Sequence, residues 1–359
     1  MGLPLLNASA AAAVLKPFRG EAMSTVPGAQ AGRGPASRTT PRIVTLAEID
    51  TALRGVDLLP RIEAAFVAYS AGKAIVPPVG ELLLPDAQAD VHIKYGYIAG
   101  EPYYVIKVAS GFYGNPERGL PSSNGLMMIF SSSTGELVAI LLDDGHLTDL
   151  RTGAAGAIAA KHLAPTAVKR IGIVGTGTQA RYQLRMLKPV TPCRDVLAWG
   201  RHPGRLARYR EEMEAEGFRV ATTVEARDVM ATCDLIVTAT AARAPLLMRD
   251  QLRPGIHITA VGADSPGKQE LDPLILRGAD VVVADSISQC LERGEIAHAV
   301  RSRCVRADDV VELGAVIAGA AAGRTSDEEI TVADLTGVAV QDIEIARTVF
   351  EAVTAKGAA

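Results

Sequence analysis

The chain has 359 residues, a formal net charge of −3 and 48% hydrophobic residues. This length predicts two domains, each with enough sequence for its own core. The small net charge gives no reason to expect nucleic acid or an anionic membrane as a partner. Four cysteines and six histidines are scattered without the spacing of a metal site or a disulfide framework. We therefore expect reduced thiols in the cytoplasm and no metal ion.

The first forty residues differ in composition from the rest. An alanine-rich stretch at residues 8–14 precedes a segment at 24–41 that is rich in Pro, Gly, Ser and Arg. The apolar stretch is far shorter than the roughly 20 residues that a membrane-spanning helix needs. Its charges follow it, whereas those of a secretory signal come first. Residues 1–42 are predicted to be a disordered extension, with Met1 or Met23 as the natural start.

From residue 43 the pattern predicts a domain with a mostly antiparallel sheet. Apolar residues at helical spacing predict a helix over residues 56–71. No helical pattern separates the strands that follow, so neighbouring strands are expected to pair. An alanine-rich helix over residues 147–163 is expected to lead into a second domain. The predicted strands lie near residues 79–84, 90–97, 102–109, 125–131 and 136–142.

A glycine turn is the most informative motif. The apolar run 170–174 leads directly into Gly175-Thr176-Gly177-Thr178-Gln179-Ala180, and candidate helix and strand segments follow. In a βαβ unit, Gly175 permits the tight turn, Gly177 lets the backbone approach a pyrophosphate, and Ala180 allows close packing of helix on strand. A turn used for packing alone has the same residues, but the βαβ context favours a dinucleotide site.

Strands and helices alternate from residue 170 to 285, a pattern that predicts a parallel sheet. We therefore predict an α/β fold in which a Rossmann-type dinucleotide-binding domain at residues 153–327 follows an α+β domain at 43–152. A last helix over residues 334–355 is expected to return to the first domain, so that 328–359 complete it. The predicted strands lie near residues 170–174, 196–199, 218–222, 234–239, 257–262 and 280–284.

The end of the second of these strands bears on the choice of cofactor. An acidic residue there would bind the ribose 2′-OH of NAD, whereas an arginine accommodates the 2′-phosphate of NADP. The strand ends Trp199-Gly200-Arg201, and Asp195 lies at its other end. Arg201 could contact a 2′-phosphate or stack on the adenine of either cofactor, and the simplest alternative is a solvent-exposed arginine in a loop. The sequence thus favours NADP and leaves NAD open.

Five segments, taken in order, resemble the ornithine cyclodeaminase/μ-crystallin family, and the resemblance covers about residues 43–355. It implies that the first domain binds substrate and forms a homodimer, and that the second binds NAD(P). Members include ornithine cyclodeaminases, alanine dehydrogenases and ketimine or imino-acid reductases. The stretch 107–125 is similar to the ectoine-utilisation and iminosuccinate-reductase-like branch. The five segments are residues 105–107, 147–152, 173–180, 261–271 and 337–342.

The resemblance assigns roles to three polar residues. Arg151 and Lys107 match the positions that bind the substrate carboxylate, and an arginine fork gives bidentate contact where a lysine gives a point charge. From the residues alone, the simpler interpretations are an interdomain salt bridge for Arg151 and a lysine on an edge strand for Lys107. Asp264 follows a buried strand at its carboxyl end, where ligands of parallel sheets bind. It matches the catalytic aspartate of the cyclodeaminases, and an Asx turn before Pro266 is the alternative.

The predicted site therefore has Asp264 and Lys107 as catalytic residues and a substrate-binding set of cations. One expected anchor is missing, because relatives carry Pro-x-Arg where this chain reads Pro78-Val79-Gly80. Lys94 is the candidate replacement, with a solvent-facing lysine as the alternative. The substrate-binding set is Arg151, Lys107 and Lys94. The cofactor-binding set is Gly175, Gly177, Thr178, Gln179, Ala180, Arg201, Thr152 and Val338.

These features predict a homodimeric NAD(P)H-dependent reductase of a linear or cyclic α-imino acid, reversible as an amino-acid dehydrogenase. The altered anchors argue against plain ornithine cyclisation. An ornithine- or lysine-type cyclodeaminase with bound NAD is the first alternative, and a non-catalytic NADP-binding protein of the crystallin kind is the second. The expected partner is a small imino or amino acid whose side chain the sequence does not specify.

Overall fold

Period-two alternation and short β-branched runs form the strands of two large sheets and of one small two-stranded sheet. The computed structural model describes residues 40–357, so the predicted extension lies outside the described residues except for its last three. Within this range, no helix combines the length and the apolar character that crossing a membrane requires. The elements of the first part are β1 Arg42–Val44, α1 Leu46–Leu53, α2 Leu59–Ser70, β2 Ala74–Ile75, β3 Gly80–Leu84, β4 Ala89–Ile98, β5 Tyr103–Phe112, β6 Ser123–Ser131, β7 Leu137–Leu141 and α3 His146–Leu163.

The second part alternates strands and helices, as predicted. Its elements are β8 Ile171–Val174, α4 Thr178–Met186, β9 Asp195–Trp199, α5 Pro203–Ala215, β10 Arg219–Thr223, α6 Ala226–Thr232, β11 Leu235–Thr238, β12 Arg243–Leu247, β13 His257–Ala260, β14 Gln269–Leu271, α7 Pro273–Arg277, β15 Val281–Ala284, α8 Ile287–Cys290, α9 Gly294–Arg301, β16 Val311–Glu312, α10 Leu313–Ile317, β17 Thr331–Asp334 and α11 Ala339–Gly357.

The first sheet has the order β1-β7-β6-β5-β4-β2, and β3 also pairs with β4. Its pairs are antiparallel except β1 with β7, which confirms the predicted mostly antiparallel sheet. The register places one residue from each of five strands in a single row across the sheet. The row on the inner face is Val44, Leu141, Met127, Lys107 and Lys94. It is apolar until its last two members, both of which are lysines.

The second sheet is parallel throughout, with the order β10-β9-β8-β11-β13-β17-β15-β16. This confirms the predicted α/β fold with a Rossmann-like sheet. The strand β17 departs from the sequence prediction, because residues 331–334 lie between β13 and β15 in this sheet. The chain therefore returns to the first sheet after β17 and not at residue 328. The four buried residues of β17 are too few, and lie too close to the last helix in sequence, for their pattern to be distinguished from that of the helix.

Two helices connect the sheets. The predicted domain boundary at residues 152 and 153 falls within α3, which packs against α4, α2 and α11. The last helix, α11, begins at Ala339 and packs on β4, β5 and α2 of the first sheet. One continuous apolar cluster runs from Val44 to Val353 and includes Ile171 and Ile173 of the parallel sheet. The inner face of the first sheet and one face of the parallel sheet therefore share a core.

Candidate active site

The glycine turn has the geometry of a phosphate cradle. Gly175 has a φ of +121°, and a Cβ at this position would lie 2.7 Å from the carbonyl oxygen of Ala239. Only glycine fits there without strain. Gly177 is the N-cap of α4, no side chain caps this helix, and no atom lies within 4 Å of the position of a Gly177 Cβ. Open space beside uncapped backbone N–H groups fits the pyrophosphate of a dinucleotide.

A cleft of about 400 Å³ extends from this turn, and we call it the glycine-turn cleft. Gly175, Gly177 and Arg201 of the predicted cofactor set line it. The complete lining is Gly175, Thr176, Gly177, Trp199, Gly200, Arg201, His202, Arg205, Ala239, Thr240, Ala241, Ala242, Arg243 and Leu246.

The other predicted cofactor residues lie elsewhere. Ala180 is buried beneath the turn, and its carbonyl accepts a hydrogen bond from the Tyr209 hydroxyl at 3.1 Å. Val338 is fully buried, while the Thr152 hydroxyl donates to a carbonyl within α3. Together with Thr178, these residues do not line the glycine-turn cleft.

A second cavity, of about 240 Å³, lies between the two sheets, and we call it the inter-sheet cavity. It shares Ala239, Thr240 and Ala241 with the glycine-turn cleft, so the two spaces adjoin at these residues. Its lining includes all four predicted catalytic and substrate-binding residues, and Gln179 lines it as well. The complete lining is Asp90, His92, Lys94, Lys107, Ala109, Ser110, Gly111, Tyr113, Ser123, Asn124, Gly145, Thr148, Asp149, Arg151, Gln179, Ala239, Thr240, Ala241, Val261, Gly262, Asp264 and Lys268.

Two buried cations of this cavity share one carboxylate. Asp342, in the first turn of α11, lies 3.1 Å from the Lys107 Nζ and 2.9 Å from the Arg151 Nε. The Arg151 Nη1 also donates to the Gln341 Oε1 at 3.0 Å. All three charged side chains are at most 5% exposed. Arg151 and Lys107 are therefore held in place before any ligand binds.

Lys94 lies beside this pair, directly opposite Lys107 in the β4–β5 register. Its Nζ donates to the carbonyl oxygens of Thr336 at 2.9 Å and Gly337 at 2.6 Å. Lys94 is therefore a buried cation and not the solvent-facing lysine of the alternative interpretation. Gly80, at the place of the missing arginine, pairs with Ile93, the neighbour of Lys94 in sequence.

Burial, together with nearby like charges, lowers the pKa of both lysines. Burial and the Arg151 charge lower the pKa of Lys107 to about 7 and that of Lys94 to about 8. Burial opposes ionisation of Asp342, but the three cations hold its pKa below the ordinary value. Three cations thus face one carboxylate. An anion that bound among them would relieve their mutual repulsion.

Asp264 lies across the cavity in an ion pair of its own. Its Oδ1 accepts a hydrogen bond from the Lys268 Nζ at 2.7 Å and another from the Ser265 hydroxyl at 3.1 Å. Burial opposes ionisation, but Lys268 lowers the pKa of Asp264 to about 2. Asp264 is therefore a carboxylate throughout the neutral pH range. It is suited to stabilising a cation and poorly suited to donating a proton.

Sequence reasoning missed several polar residues of the cavity. His92, one of the six scattered histidines, lines the cavity, and its Nε2 lies 3.2 Å from the Glu81 Oε1. The Tyr113 hydroxyl donates to the Asp90 Oδ2 at 2.8 Å. The available signal was the period-two series Asp90, His92, Lys94, which places these side chains on one face of β4.

Glu270 was also missed, although it supports the junction of the two spaces. Its carboxylate accepts hydrogen bonds from the backbone N–H groups of Thr240 at 2.6 Å and Gly262 at 2.9 Å. Burial raises the pKa of Glu270 to about 7. Across the described residues, no cluster of three or more His, Cys, Asp or Glu side chains is arranged to hold a metal ion.

The sequence profile of the Ornithine cyclodeaminase/mu-crystallin family matches residues 40–357. The chain belongs to this family. Among its relatives, a Sinorhizobium fredii protein named as an uncharacterised cyclodeaminase is 42% identical over 299 residues, which are 82% of this chain and 90% of that protein. The iminosuccinate reductase of Paracoccus denitrificans is 35% identical over 298 residues, 83% of this chain and 92% of that enzyme.

Solved structures of the family have the same fold. An archaeal alanine dehydrogenase dimer with bound NAD gives a TM-score of 0.80 at 35% identity, covering 88% of this chain and 97% of that one. A Thermococcus litoralis Δ1-pyrroline-2-carboxylate reductase in complex with NADH and L-proline gives 0.82 at 27% identity, covering 88% and 98%. Homologues are thus NAD-dependent oxidoreductases of imino and amino acids, and cyclodeaminases also occur among them.

Proposed function

We propose that this protein is an NAD(P)H-dependent reductase of a linear or cyclic α-imino acid, reversible as an amino-acid dehydrogenase. The observation that carries the proposal is the pair Lys107 and Arg151. Both are buried and fixed by Asp342, and both line a cavity that adjoins the glycine-turn cleft.

The substrate carboxylate binds to the buried cations on the inner face of the first sheet and on α3. Arg151 offers a planar fork whose Nε faces Asp342, and Lys107 adds a point charge beside it. Because these side chains are already ordered, little conformational entropy is lost when the anion binds. Lys94 lies close enough to add a third positive charge.

The nitrogen of the substrate faces Asp264. A permanent carboxylate there stabilises the protonated iminium, the form whose carbon is most electrophilic. Reduction of that carbon leaves a neutral amine, which then takes up one proton. Lys107 is suited to exchange this proton because its pKa is about 7. In the reverse direction the same groups receive an ammonium and remove its proton.

A dinucleotide fits the glycine-turn cleft, and when bound its nicotinamide supplies or accepts the hydride. Gly175 and Gly177 would accommodate the pyrophosphate, and Arg201 the adenosine end. Glu270 fixes the loops at Thr240 and Gly262, where the cleft meets the inter-sheet cavity. Gln179 donates to the Asp149 Oδ1 at 2.7 Å, which orients it at the same junction.

The outer face of the first sheet suits a second copy of the chain. The register aligns Ile43, Ile140, Met128, Ile106 and Tyr95 in an apolar row. Ile43 is 60% exposed and Tyr95 is 39% exposed. Apolar rows of this length are normally covered in a folded protein. We propose a homodimer, as in the archaeal alanine dehydrogenase, and sedimentation would measure it.

A substrate panel tests the proposed function. The enzyme is given keto acids with ammonia or methylamine, and preformed cyclic imines, while NADH and NADPH absorbance is followed. We expect stoichiometric oxidation of the cofactor with at least one imine. Sustained release of ammonia and formation of proline from L-ornithine, without net absorbance change, would instead establish a cyclodeaminase. Cofactor binding without any turnover would favour the non-catalytic alternative.

A further inference from the structure

We infer that the glycine-turn cleft selects NADP(H) over NAD(H) through three arginines, Arg201, Arg205 and Arg243. The inference rests on the proposed function and specifies the cofactor of that function. It concerns the 2′-phosphate on the adenosine ribose, the only chemical difference between the two dinucleotides.

The three arginines come from two separate segments. Arg201 follows β9, Arg205 lies in the first turn of α5, and Arg243 begins β12. All three line the glycine-turn cleft. They are exposed, and none of their guanidinium groups has an ion-pair or hydrogen-bond partner within residues 40–357.

Three arginines near the cleft form ion pairs with carboxylates. Arg181 pairs with Glu212 at 2.5 Å, Arg208 pairs with the same glutamate at 2.8 Å, and Arg219 pairs with Asp195 at 2.6 Å. The three arginines of the cleft form no such pair, and they lie together along one concave lining. A cluster of unpaired cations in a concave site favours an anionic ligand, and a phosphate suits the guanidinium fork.

Among the described residues, the lining of the cleft also contains no carboxylate. Selection of NAD normally uses an acidic side chain at the end of the second strand, which accepts a hydrogen bond from the ribose 2′-OH. Here that end reads Trp199-Gly200-Arg201, and Asp195 lies at the start of β9, where Arg219 occupies it. A Cβ at Gly200 would lie 3.0 Å from the Thr176 Cγ2, so this position leaves little room for an acidic side chain.

The start of helix α5 contributes in the same direction. Its N-cap is His202, its first turn contains no acidic residue, and Arg205 lies within that turn. The positive end of the helix dipole therefore adds to the arginine charges. A 2′-phosphate near this end would meet backbone N–H groups and two guanidinium groups from one segment, with Arg243 approaching from the other.

Binding is measured through the only tryptophan of the chain, Trp199, which itself lines the cleft. The full-length protein is titrated with NADPH and NADH at low salt, and with adenosine 2′,5′-bisphosphate and AMP, while tryptophan fluorescence is followed. Each exposed charge contributes modestly, so we expect NADPH to bind about 10- to 100-fold more tightly than NADH. We also expect adenosine 2′,5′-bisphosphate to bind more tightly than AMP.

Single substitutions then locate the effect. Arg201→Ala, Arg205→Ala and Arg243→Ala should each weaken NADPH about three- to tenfold and leave NADH nearly unchanged. Arg208→Ala is the matched control, because Arg208 is an exposed arginine of α5 that pairs with Glu212 and does not line the cleft. This variant should change neither affinity. Circular dichroism checks that each variant is folded.

Two outcomes would contradict the inference in distinguishable ways. Equal affinity for NADPH and NADH, with equal losses in the Arg201 variant, would mean adenine stacking in place of phosphate recognition. That outcome would overturn the selectivity and leave the proposed function standing. Failure of both dinucleotides to bind would overturn the proposed function itself.

Discussion

The inter-sheet cavity and the glycine-turn cleft both carry clustered cations, but they hold them differently. Lys107 and Arg151 are buried and fixed by Asp342. The arginines of the cleft are exposed and have no partner among the described residues. The buried set is ordered before its ligand arrives and acts in a medium of low dielectric constant, where each charge has a large effect. The exposed set is screened by water and salt.

This difference predicts unequal consequences of mutation. Removing a charge that contacts the reacting atoms should cost most, removing a buried anchor should cost less, and removing an exposed arginine of the cleft should cost least. The predictions below follow that order.

The largest effect is expected at Asp264. Asp264→Asn keeps the size of the side chain but removes the negative charge that faces the substrate nitrogen and pairs with Lys268. We expect kcat to fall by about 10²–10⁴-fold, the range typical of groups that assist proton transfer and charge development. Cofactor affinity, measured by fluorescence, should be unchanged. An undiminished kcat would show that Asp264 only shapes its loop.

The anchor cations should come next. Losing a charge-assisted bond that is desolvated in the complex costs about 2–3 kcal/mol, or roughly 30- to 100-fold in kcat/KM. Arg151→Met and Lys107→Met should each show a loss of this size in steady-state kinetics. Dinucleotide affinity is the internal control and should stay within about twofold of wild type. Near-normal kcat/KM in both variants would mean that Arg151 and Lys107 only form a structural ion pair with Asp342.

Raising the pH should have part of the effect of replacing Lys107, because it removes the charge of the Lys107 ammonium group. The pKa of Lys107 is about 7, so its ammonium is present below that value and is lost as the pH rises through it. Because the anchor requires the charged form, kcat/KM should fall above about pH 7, by up to tenfold per pH unit for one group. Lys107→Arg should move this fall to higher pH, since arginine stays protonated. A profile identical in both proteins would exclude Lys107 as the titrating group.

A smaller and more selective effect is expected at Lys94. Its ammonium is held by the Thr336 and Gly337 carbonyls, so it is an additional cation and not the main anchor. Lys94→Met should weaken dicarboxylic substrates more than monocarboxylic ones, by about tenfold in relative kcat/KM. Equal losses on both classes would mean that Lys94 only supports the loop before α11.

Much of this arrangement could be predicted from local sequence. The short apolar strand patterns predicted the antiparallel sheet, and the glycine turn predicted the start of α4. The family resemblance pointed to Lys107, Arg151 and Asp264. What could not be predicted arises from contacts between distant segments. Asp342 lies 191 positions after Arg151, and the carbonyls that hold Lys94 belong to the loop before α11. The periodicity of a sequence segment carries no information about partners that lie so far away in the chain.

The same reason explains the errors. Strand β17 merges with the following helix in sequence, and only its neighbours β13 and β15 define it. Thr152 and Val338 match family segments but do not line the glycine-turn cleft, so their place in the cofactor-binding set stays a prediction. The low pKa of Asp264 depends on Lys268, four residues later, which nothing in the motif singled out.

The central claim is that the two spaces act together in a net reduction, and isotope transfer tests it most directly. The enzyme is given an imino acid and NAD(P)H that carries deuterium at the transferable position, and the product is analysed by mass spectrometry. We predict one deuterium at Cα of the amino acid for each dinucleotide oxidised. Conversion of L-ornithine to proline and ammonia with only a catalytic amount of dinucleotide, and no deuterated product from any imine, would contradict the account.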